Sequence, residues 1–131
     1  MLRAALMLLL MAPHFPAQAV LQTQETSGRV ENQVQQLDSK LQVIRTAELP
    51  VEARAVLRAI KQGGPFAYSR DGVVFNNFEG ILVKRPRGYY REYTVKSPGA
   101  HNRGARRIIS GAANEYYYTA DHYQTFKRIR D

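Results

Sequence analysis

The first half of the chain carries two helical patterns. Between Gly28 and Arg45, apolar residues recur at steps of three and four, which is the spacing of an amphipathic helix with a narrow apolar stripe. A second helix is predicted to begin at Pro50, because proline fits a first helical turn, and to stop at Gly63-Gly64-Pro65. The residues that share its apolar face are Ala53, Val56, Leu57 and Ile60. We therefore expect the second helix to be the main core helix.

The second half changes to short runs of aromatic and β-branched residues separated by turn signals such as Asp71-Gly72 and Ser97-Pro98-Gly99. The predicted strands are Val73–Phe75, Ile81–Val83, Tyr89–Val95, Ala105–Ser110, Tyr116–Thr119 and Tyr123–Ile129. Helices followed by strands indicate an α+β fold. We expect an antiparallel β-sheet packed on one main helix, with an additional N-terminal helix.

The N-terminus has the pattern of an export signal. Arg3 provides a short positive region, residues 4–12 are uniformly apolar, and Ala17-Gln18-Ala19 is the small-x-small pattern of a cleavage site. The apolar run is too short to span a bilayer, so a retained membrane anchor is the weaker alternative. We predict a signal peptide over residues 1–19, an N-terminal extension with the amphipathic helix over residues 20–48, and one folded domain over residues 49–131.

Positive charge and aromatic residues concentrate toward the C-terminus. Residues 20–83 hold seven Lys/Arg and seven Asp/Glu, whereas residues 84–131 hold eleven basic and four acidic residues. All eight tyrosines lie between Tyr68 and Tyr123. A basic surface with interleaved aromatic rings favours binding to a polyanion with stacking bases. Basic exported proteins also bind anionic lipids or cell-wall polymers, so the pattern leaves both partner classes open.

The residue types in this region restrict the chemistry. Glu92 lies within a predicted strand, Arg103, Arg106 and Arg107 form a basic cluster, and His122 follows near the end. An acid–base pair with guanidinium groups suits phosphodiester cleavage without a metal, because two protons must move while charge gathers on phosphorus. The absence of cysteine excludes thiol catalysis, disulfides and cysteine metal sites, and the predicted mature chain has only two histidines. We therefore expect no metal and no cofactor.

Strand periodicity allows a second interpretation of the same residues. Alternate side chains of a strand share a face, so Glu92 lies with Thr94, and Arg107 lies with Ile109. If the two strands are neighbours, Glu92 and Arg107 could meet across the sheet. That contact would equally suit an ordinary cross-strand ion pair, and a single histidine such as His122 is commonly a surface residue. Spacing alone leaves these alternatives open.

Four blocks of the sequence resemble one protein family. They are Gly64–Asn77 (GPFAYSRDGVVFNN), Gly88–Val95 (GYYREYTV), Pro98–Gly111 (PGAHNRGARRIISG) and Tyr117–Phe126 (YYTADHYQTF). These blocks closely resemble the microbial guanyl-specific ribonucleases, with the secreted streptomycete enzymes nearest and barnase more distant. Several blocks in the same order are far more specific than a lone motif. The resemblance implies that residues 49–131 are a ribonuclease domain with the microbial ribonuclease fold.

The resemblance also implies a role for each candidate catalytic residue. Glu92 matches the general base that takes the proton from the ribose 2′-hydroxyl. His122 matches the general acid that protonates the leaving 5′-oxygen. Arg103 and Arg107 match the guanidinium groups that hold the phosphate, and Tyr123 matches a tyrosine beside the scissile group.

The segment from Phe75 to Glu79 matches the family's guanine-binding loop. The resemblance implies that Glu79 accepts two N–H groups from guanine, that backbone amides donate to guanine O6, and that Phe75 supplies a stacking face. Asn76 and Asn77 belong to the same loop, and Asn76 is shorter than the common glutamine. Phe78 stands where a polar or charged residue is usual. The family disulfide is absent, and Ala120 replaces a glycine.

The function implied is that of a secreted endoribonuclease that cuts single-stranded RNA after guanosine. The expected first product is a 2′,3′-cyclic phosphate, which is then hydrolysed to a 3′-phosphate. The alternative is a non-catalytic cationic protein that binds RNA or the cell envelope. We expect a monomer in the periplasm or outside the cell, not bound to a membrane after signal removal, with a barstar-like acidic inhibitor as a candidate partner.

Overall fold

A computed structural model describes the backbone of residues 17–131 and the side chains from residue 24 onward. The predicted signal peptide therefore lies almost wholly outside the described residues. The chain divides into two units, the first ending at Gln33 and the second running from Val34 to Asp131. Within the described part of the chain, no helix is long and apolar enough to cross a membrane.

Two helices, a short 3₁₀ turn and six strands make up the described chain. In order they are α1 (Ala17–Ser39), β1 (Gln42–Arg45), the 3₁₀ turn (Thr46–Glu48), α2 (Val51–Gln62), β2 (Val73–Val74), β3 (Tyr90–Thr94), β4 (Arg107–Gly111), β5 (Tyr116–Thr119) and β6 (Lys127–Arg130). The six strands form one sheet in the order β1-β6-β5-β4-β3-β2. All neighbours pair antiparallel except β1 and β6, which are parallel. The α+β prediction is confirmed, with a mixed sheet.

Helix α2 forms where the sequence predicts it. Glu52 lies in the first turn and Lys61 in the last, so each charge is opposite in sign to the nearby end of the helix dipole and stabilises the helix. Gly63 ends the helix in a left-handed conformation at φ 81°, which glycine adopts without steric cost. The core cluster between α2 and one face of the sheet consists of Leu49, Ala53, Leu57, Val95, Ile108, Tyr118 and Ile129. This helix therefore anchors the sheet.

The opposite face of the sheet has its own apolar cluster, made mostly of aromatic rings. Its members are Phe75, Leu82, Tyr90, Ile109, Tyr117 and Phe126. The hydroxyl of Tyr90 donates to the carbonyl of Val83 at 2.7 Å, so the buried phenol has a partner. Burial raises the pKa of Tyr90 to about 12, with the charge of Glu115 acting in the same direction. Ile109, a member of this cluster, lies directly opposite Glu92 on the neighbouring strand.

The helix predicted over Gly28–Arg45 is wrong at both ends. Helix α1 begins before Gly28 and ends at Ser39, and the last predicted helical turn is strand β1. In β1, Ile44 pairs with Ile129 of β6 and packs against the core cluster of α2. The spacing of Leu37, Leu41 and Ile44 fits a helix, but the partner strand lies at the far end of the chain and leaves no local signal.

Two predicted strands are also corrected. Ile81–Val83 is irregular, because the side chain of Asn77 donates to Leu82 O at 2.9 Å and accepts from Leu82 N at 3.2 Å. An asparagine side chain thus takes the place of a partner strand. The strand predicted over Tyr123–Ile129 begins only at Lys127, since the preceding residues form a loop around Asp121. The domain boundary predicted before residue 49 stays a prediction, although β1 already belongs to the sheet.

Candidate active site

Glu92 lies on the sheet face that points away from α2. It stands at the centre of β3, opposite Val73 of β2 and Ile109 of β4. Only 7% of the residue is exposed. Its carboxylate accepts a hydrogen bond from the hydroxyl of Tyr123 at 2.6 Å, and the other oxygen lies 3.4 Å from the Arg103 guanidinium. A buried carboxylate is therefore held between one hydroxyl donor and one cation.

Arg103 is held by Thr94, which lies two residues after Glu92 on β3. Thr94 is 1% exposed, and its hydroxyl accepts from Arg103 Nε at 3.0 Å and from a terminal guanidinium nitrogen at 2.8 Å. The turn after Arg103 needs Gly104, which has φ 63° and where a Cβ would lie 2.6 Å from the Ser97 hydroxyl. The sequence Arg103-Gly104 thus sets the guanidinium toward Glu92.

Arg107 is the most buried cation of the site. It lies on β4 directly between Thr94 of β3 and Thr119 of β5. One terminal nitrogen donates to the carbonyls of Gly104 and Arg106, each at 2.8 Å. Among the described residues, its Nε is buried and has no hydrogen-bond acceptor. An unpaired buried donor costs about 1–3 kcal/mol, so an acceptor that reached this N–H would bind favourably.

His122 and Tyr123 lie on the loop between β5 and β6. Both adopt left-handed backbone conformations, with φ 55° and 71°. The amide of His122 donates to the carbonyl of Ala105 at 3.0 Å, and the rings of His122 and Tyr123 lie 4.7 Å apart. His122 lines an open cleft of about 590 Å³ together with Asn102, Arg103, Gly104, Ala105 and Arg107. Tyr123 therefore touches Glu92 on one side and His122 on the other.

The hydroxyl of Tyr123 is held in its neutral form. Burial raises the pKa of Tyr123, and the hydrogen bond to Glu92 and the negative charge of Glu92 add to the effect. The nearby Arg107 opposes this shift but does not cancel it. Tyr123 consequently acts as a hydrogen-bond donor toward Glu92 at neutral pH.

The predicted base-binding loop joins this cluster through Phe75. Phe75 is buried, and its ring lies 5.1 Å from that of Tyr123. Asn77 has φ 54° and closes the loop through its two bonds to Leu82. Asn76 and Glu79 have exposed side chains, and Phe78 is 88% exposed.

The structure shows which charged side chains lie next to each other, a point that the sequence left open. Glu92 and Arg107 are not directly opposite each other, because the register places Arg107 opposite Thr94, and the cation beside Glu92 is Arg103. Arg106, the third member of the basic cluster, pairs with Glu52 of α2 at 3.7 Å. Consecutive residues of an extended chain point to opposite faces, so Arg106 and Arg107 lie on different sides of the sheet.

Sequence reasoning assigned no function to Thr94, Thr119 or Asp121. Thr94 and Thr119 are each only 1% exposed and form hydrogen bonds with Arg103 and Tyr123, respectively. A signal for Thr94 was present, since strand alternation places it beside Glu92. The bonds from Thr119 and Asp121 depend on the shape of a loop, which the sequence pattern does not give.

Comparison with known proteins agrees with the geometry. A protein-family model described as ribonuclease matches residues 31–130. The chain is 49% identical over 89 residues to guanyl-specific ribonuclease St of Saccharopolyspora erythraea, covering 68% of this chain and 88% of that protein. It is 57% identical over 82 residues to guanyl-specific ribonuclease Sa3 of Kitasatospora aureofaciens, covering 62% of this chain and 58% of that one.

Solved structures give the same result. A structure of ribonuclease Sa2 in complex with mononucleotides superposes with a TM-score of 0.68 at 44% identity, covering 70% of this chain and 95% of that chain. The fold and the buried acidic and basic residues thus define a protein of the microbial ribonuclease class. The chain belongs to the guanyl-specific microbial ribonuclease family, as the sequence blocks predicted.

Proposed function

We propose that this protein is a guanyl-preferring endoribonuclease that cleaves single-stranded RNA without a metal. The observation that carries the proposal is the line of contacts from Glu92 through Tyr123 to His122, beside Arg103 and Arg107. His122 lines a cleft with the two arginines, and Glu92 is joined to the same group through Arg103 and Tyr123. The names of the similar ribonucleases support the same activity.

The first step is an internal displacement at phosphorus. The ribose 2′-oxygen bonds to phosphorus while the bond to the 5′-oxygen breaks; Glu92 takes the 2′-hydroxyl proton, and protonated His122 gives one to the departing 5′-oxygen. The products are a 2′,3′-cyclic phosphate and a free 5′-hydroxyl. Because the nucleophile belongs to the substrate, the step is unimolecular, and DNA cannot undergo it. Water then opens the cyclic ester to a 3′-phosphate, with Glu92 and His122 exchanging roles.

The two arginines supply the charge that the pentavalent transition state needs. A guanidinium presents a planar fork of donors that matches two phosphate oxygens and stays charged. Arg107 offers its buried, unpaired Nε–H, and Arg103 is held rigid by Thr94. Donors fixed in advance stabilise developing charge without reorganisation.

Guanine preference is assigned to the loop from Phe75 to Glu79. The exposed Glu79 carboxylate can accept the two N–H groups on the Watson–Crick edge of guanine. Adenine lacks that pair of donors, so its binding would leave the carboxylate unpaired. Two hydrogen bonds between the Asn77 side chain and the backbone of Leu82 close the loop before a base binds. Asn76 belongs to the same loop, and Phe75 supplies an aromatic surface at its base.

Export completes the proposal. The N-terminal pattern of residues 1–19 supports removal of a signal peptide and release to the periplasm or outside the cell, where we expect the mature protein to be a monomer. Sequencing the N-terminus of protein secreted from an expression host tests the cleavage site, with Val20 as the expected first residue. An acidic, barstar-like inhibitor stays a prediction.

A digestion experiment tests the activity. Mature protein incubated with mixed-sequence RNA in EDTA should give fragments that end in guanosine 3′-phosphate or its cyclic form. Glu92→Gln and His122→Ala should each lower the cleavage rate by about 10²–10⁴-fold while RNA binding survives. His101→Ala, a change of an exposed histidine elsewhere, is the matched control and should cleave like the parent.

Three outcomes would contradict the proposal. Cleavage that requires a divalent metal would exclude the acid–base mechanism. Cuts after all four nucleotides equally would exclude the role of the 75–79 loop. Salt-sensitive RNA binding without cleavage would instead support the non-catalytic cationic protein.

A further inference from the structure

The loop that carries His122 is built around the carboxylate of Asp121. One oxygen accepts from the Thr119 hydroxyl at 2.9 Å and from the Thr125 amide at 2.9 Å, and the other accepts from the Thr125 hydroxyl at 2.5 Å. Three donors thus converge on one side chain from both ends of the loop. The side chain of Asp121 does not line the cleft beside His122. Its contacts therefore shape the loop.

Thr119 connects this loop to the sheet. It is 1% exposed and lies directly opposite Arg107, so it belongs to the same cross-strand row as the phosphate cation. Besides donating to Asp121, its hydroxyl accepts from the amides of Tyr123 at 3.1 Å and Asp121 at 3.4 Å. A hydroxyl has one donor and two acceptor sites, so all of its bonding capacity is used within the loop.

These bonds hold a backbone that would otherwise relax. His122 and Tyr123 are consecutive residues with positive φ, and neither is glycine or asparagine. Each left-handed residue of this kind costs about 1–3 kcal/mol and persists only where its surroundings fix it. The amide of Tyr123 is fixed by Thr119, and the amide of His122 by the carbonyl of Ala105. A strained segment fixed at this many points is typical of a functional site.

We propose that Thr119 and Asp121 are positioning residues that aim His122 at the leaving 5′-oxygen. The inference rests on the proposed function, since it assumes that His122 is the general acid. Neither residue touches the reacting atoms. Their effect is to keep the imidazole within reach of one oxygen, and proton transfer falls steeply when that distance is lost.

A positioning role and a merely structural role can be distinguished, because they affect different substrates. A nucleotide leaving group departs as an alkoxide and needs a proton, whereas 4-nitrophenolate is stable and leaves without one. Loss of His122 positioning should slow only the first reaction. A general disturbance of the site would slow both, because Glu92, Arg103 and Arg107 serve both substrates.

The experiment compares two substrates for each variant. They are the dinucleotide guanylyl-3′,5′-uridine and guanosine 3′-(4-nitrophenyl phosphate). Thr119→Val keeps the shape of the side chain and removes all three hydrogen bonds, and Thr119→Ser keeps the hydroxyl. We expect Thr119→Val to lower kcat on the dinucleotide at least tenfold, to change KM less than about twofold, and to change kcat on the nitrophenyl ester less than about threefold. Thr119→Ser should restore the dinucleotide rate.

Three controls separate the possible failures. Equal loss on both substrates, or no loss on either, would overturn the inference. If Thr119→Val does not fold, as judged by circular dichroism, Asp121→Asn and Thr125→Val carry the same test, because both residues lie in the loop and not in the sheet. If the parent cleaves neither substrate, or if His122→Ala slows both equally, the proposed function has failed and not the positioning role.

Discussion

The hydrogen bond between Tyr123 and Glu92 gives the most direct prediction. Tyr123→Phe removes one oxygen atom and keeps the ring, which lies 5.1 Å from Phe75 and 4.7 Å from His122. The lost donor faces a carboxylate at 2.6 Å in a residue that is 7% exposed, so water replaces it poorly. Hydrogen bonds to charged groups contribute about 1.5–3 kcal/mol. We expect the lower end, a loss of about 1.5 kcal/mol in the free energy of unfolding, because Tyr123 is itself only half-buried.

Urea unfolding at neutral pH, followed by circular dichroism, measures this loss. The control is a double-mutant cycle with Glu92→Leu, which has a similar volume and cannot accept a hydrogen bond. In that background Tyr123→Phe should cost less than about 0.5 kcal/mol. A cost that is the same in both backgrounds would show that the ring environment is responsible, and the reasoning about the buried carboxylate would be wrong.

Three further predictions concern other parts of the molecule. Ile44→Ala should lower stability by about 2 kcal/mol or more in urea unfolding, because Ile44 packs on the core cluster of α2, whereas Val43→Ser, at a residue 58% exposed on the same strand, should change it by less than about 0.5 kcal/mol. Equal effects would mean that β1 is not part of the cooperative fold. The hydrogen bonds from Thr125 and Thr119 lower the pKa of Asp121, so its contribution to stability is present above its usual pKa and is lost as the pH falls through the lowered value. The stability difference between parent and Asp121→Asn should therefore shrink toward acid pH, and a difference that grows there would have the wrong sign. Phe78→Ser should leave stability within about 0.5 kcal/mol, since the side chain is 88% exposed, and any effect should appear in KM for guanine-containing substrates; a large loss of stability would contradict the observed exposure.

Local patterns were sufficient wherever the signal lies within one segment. Helix α2 follows from its apolar spacing and from Gly63 at its end. The central strands follow from aromatic and β-branched runs, and β3 and β4 each differ from the prediction by at most two residues at either end. The pattern failed at Gln42–Arg45, where the spacing of Leu41 and Ile44 fits a helix but a parallel pairing with β6 decides the outcome.

The site shows the same division. The sequence blocks picked out Arg103, Arg107 and His122, which line one cleft, and Glu92 and Tyr123, which are joined to this group by hydrogen bonds and an ion pair. They could not show that Arg103 and not Arg107 stands beside Glu92, because that depends on the register of β4 and on the turn at Gly104. Strand alternation placed Thr94 on the same face as Glu92, but no pattern indicated Thr119, whose hydrogen bonds depend on the loop that follows it.

The sequence by itself determined the chemical groups, the core helix and the positions of the central strands along the chain, because these depend on residue type and on spacing within a few residues. Only the tertiary structure decided the pairing of β1 with β6, the buried row of Thr94, Arg107 and Thr119, and the loop held by Asp121. Each of these joins segments that are distant in the chain or depends on loop shape. Such contacts form between surfaces, and no local pattern of residues specifies them.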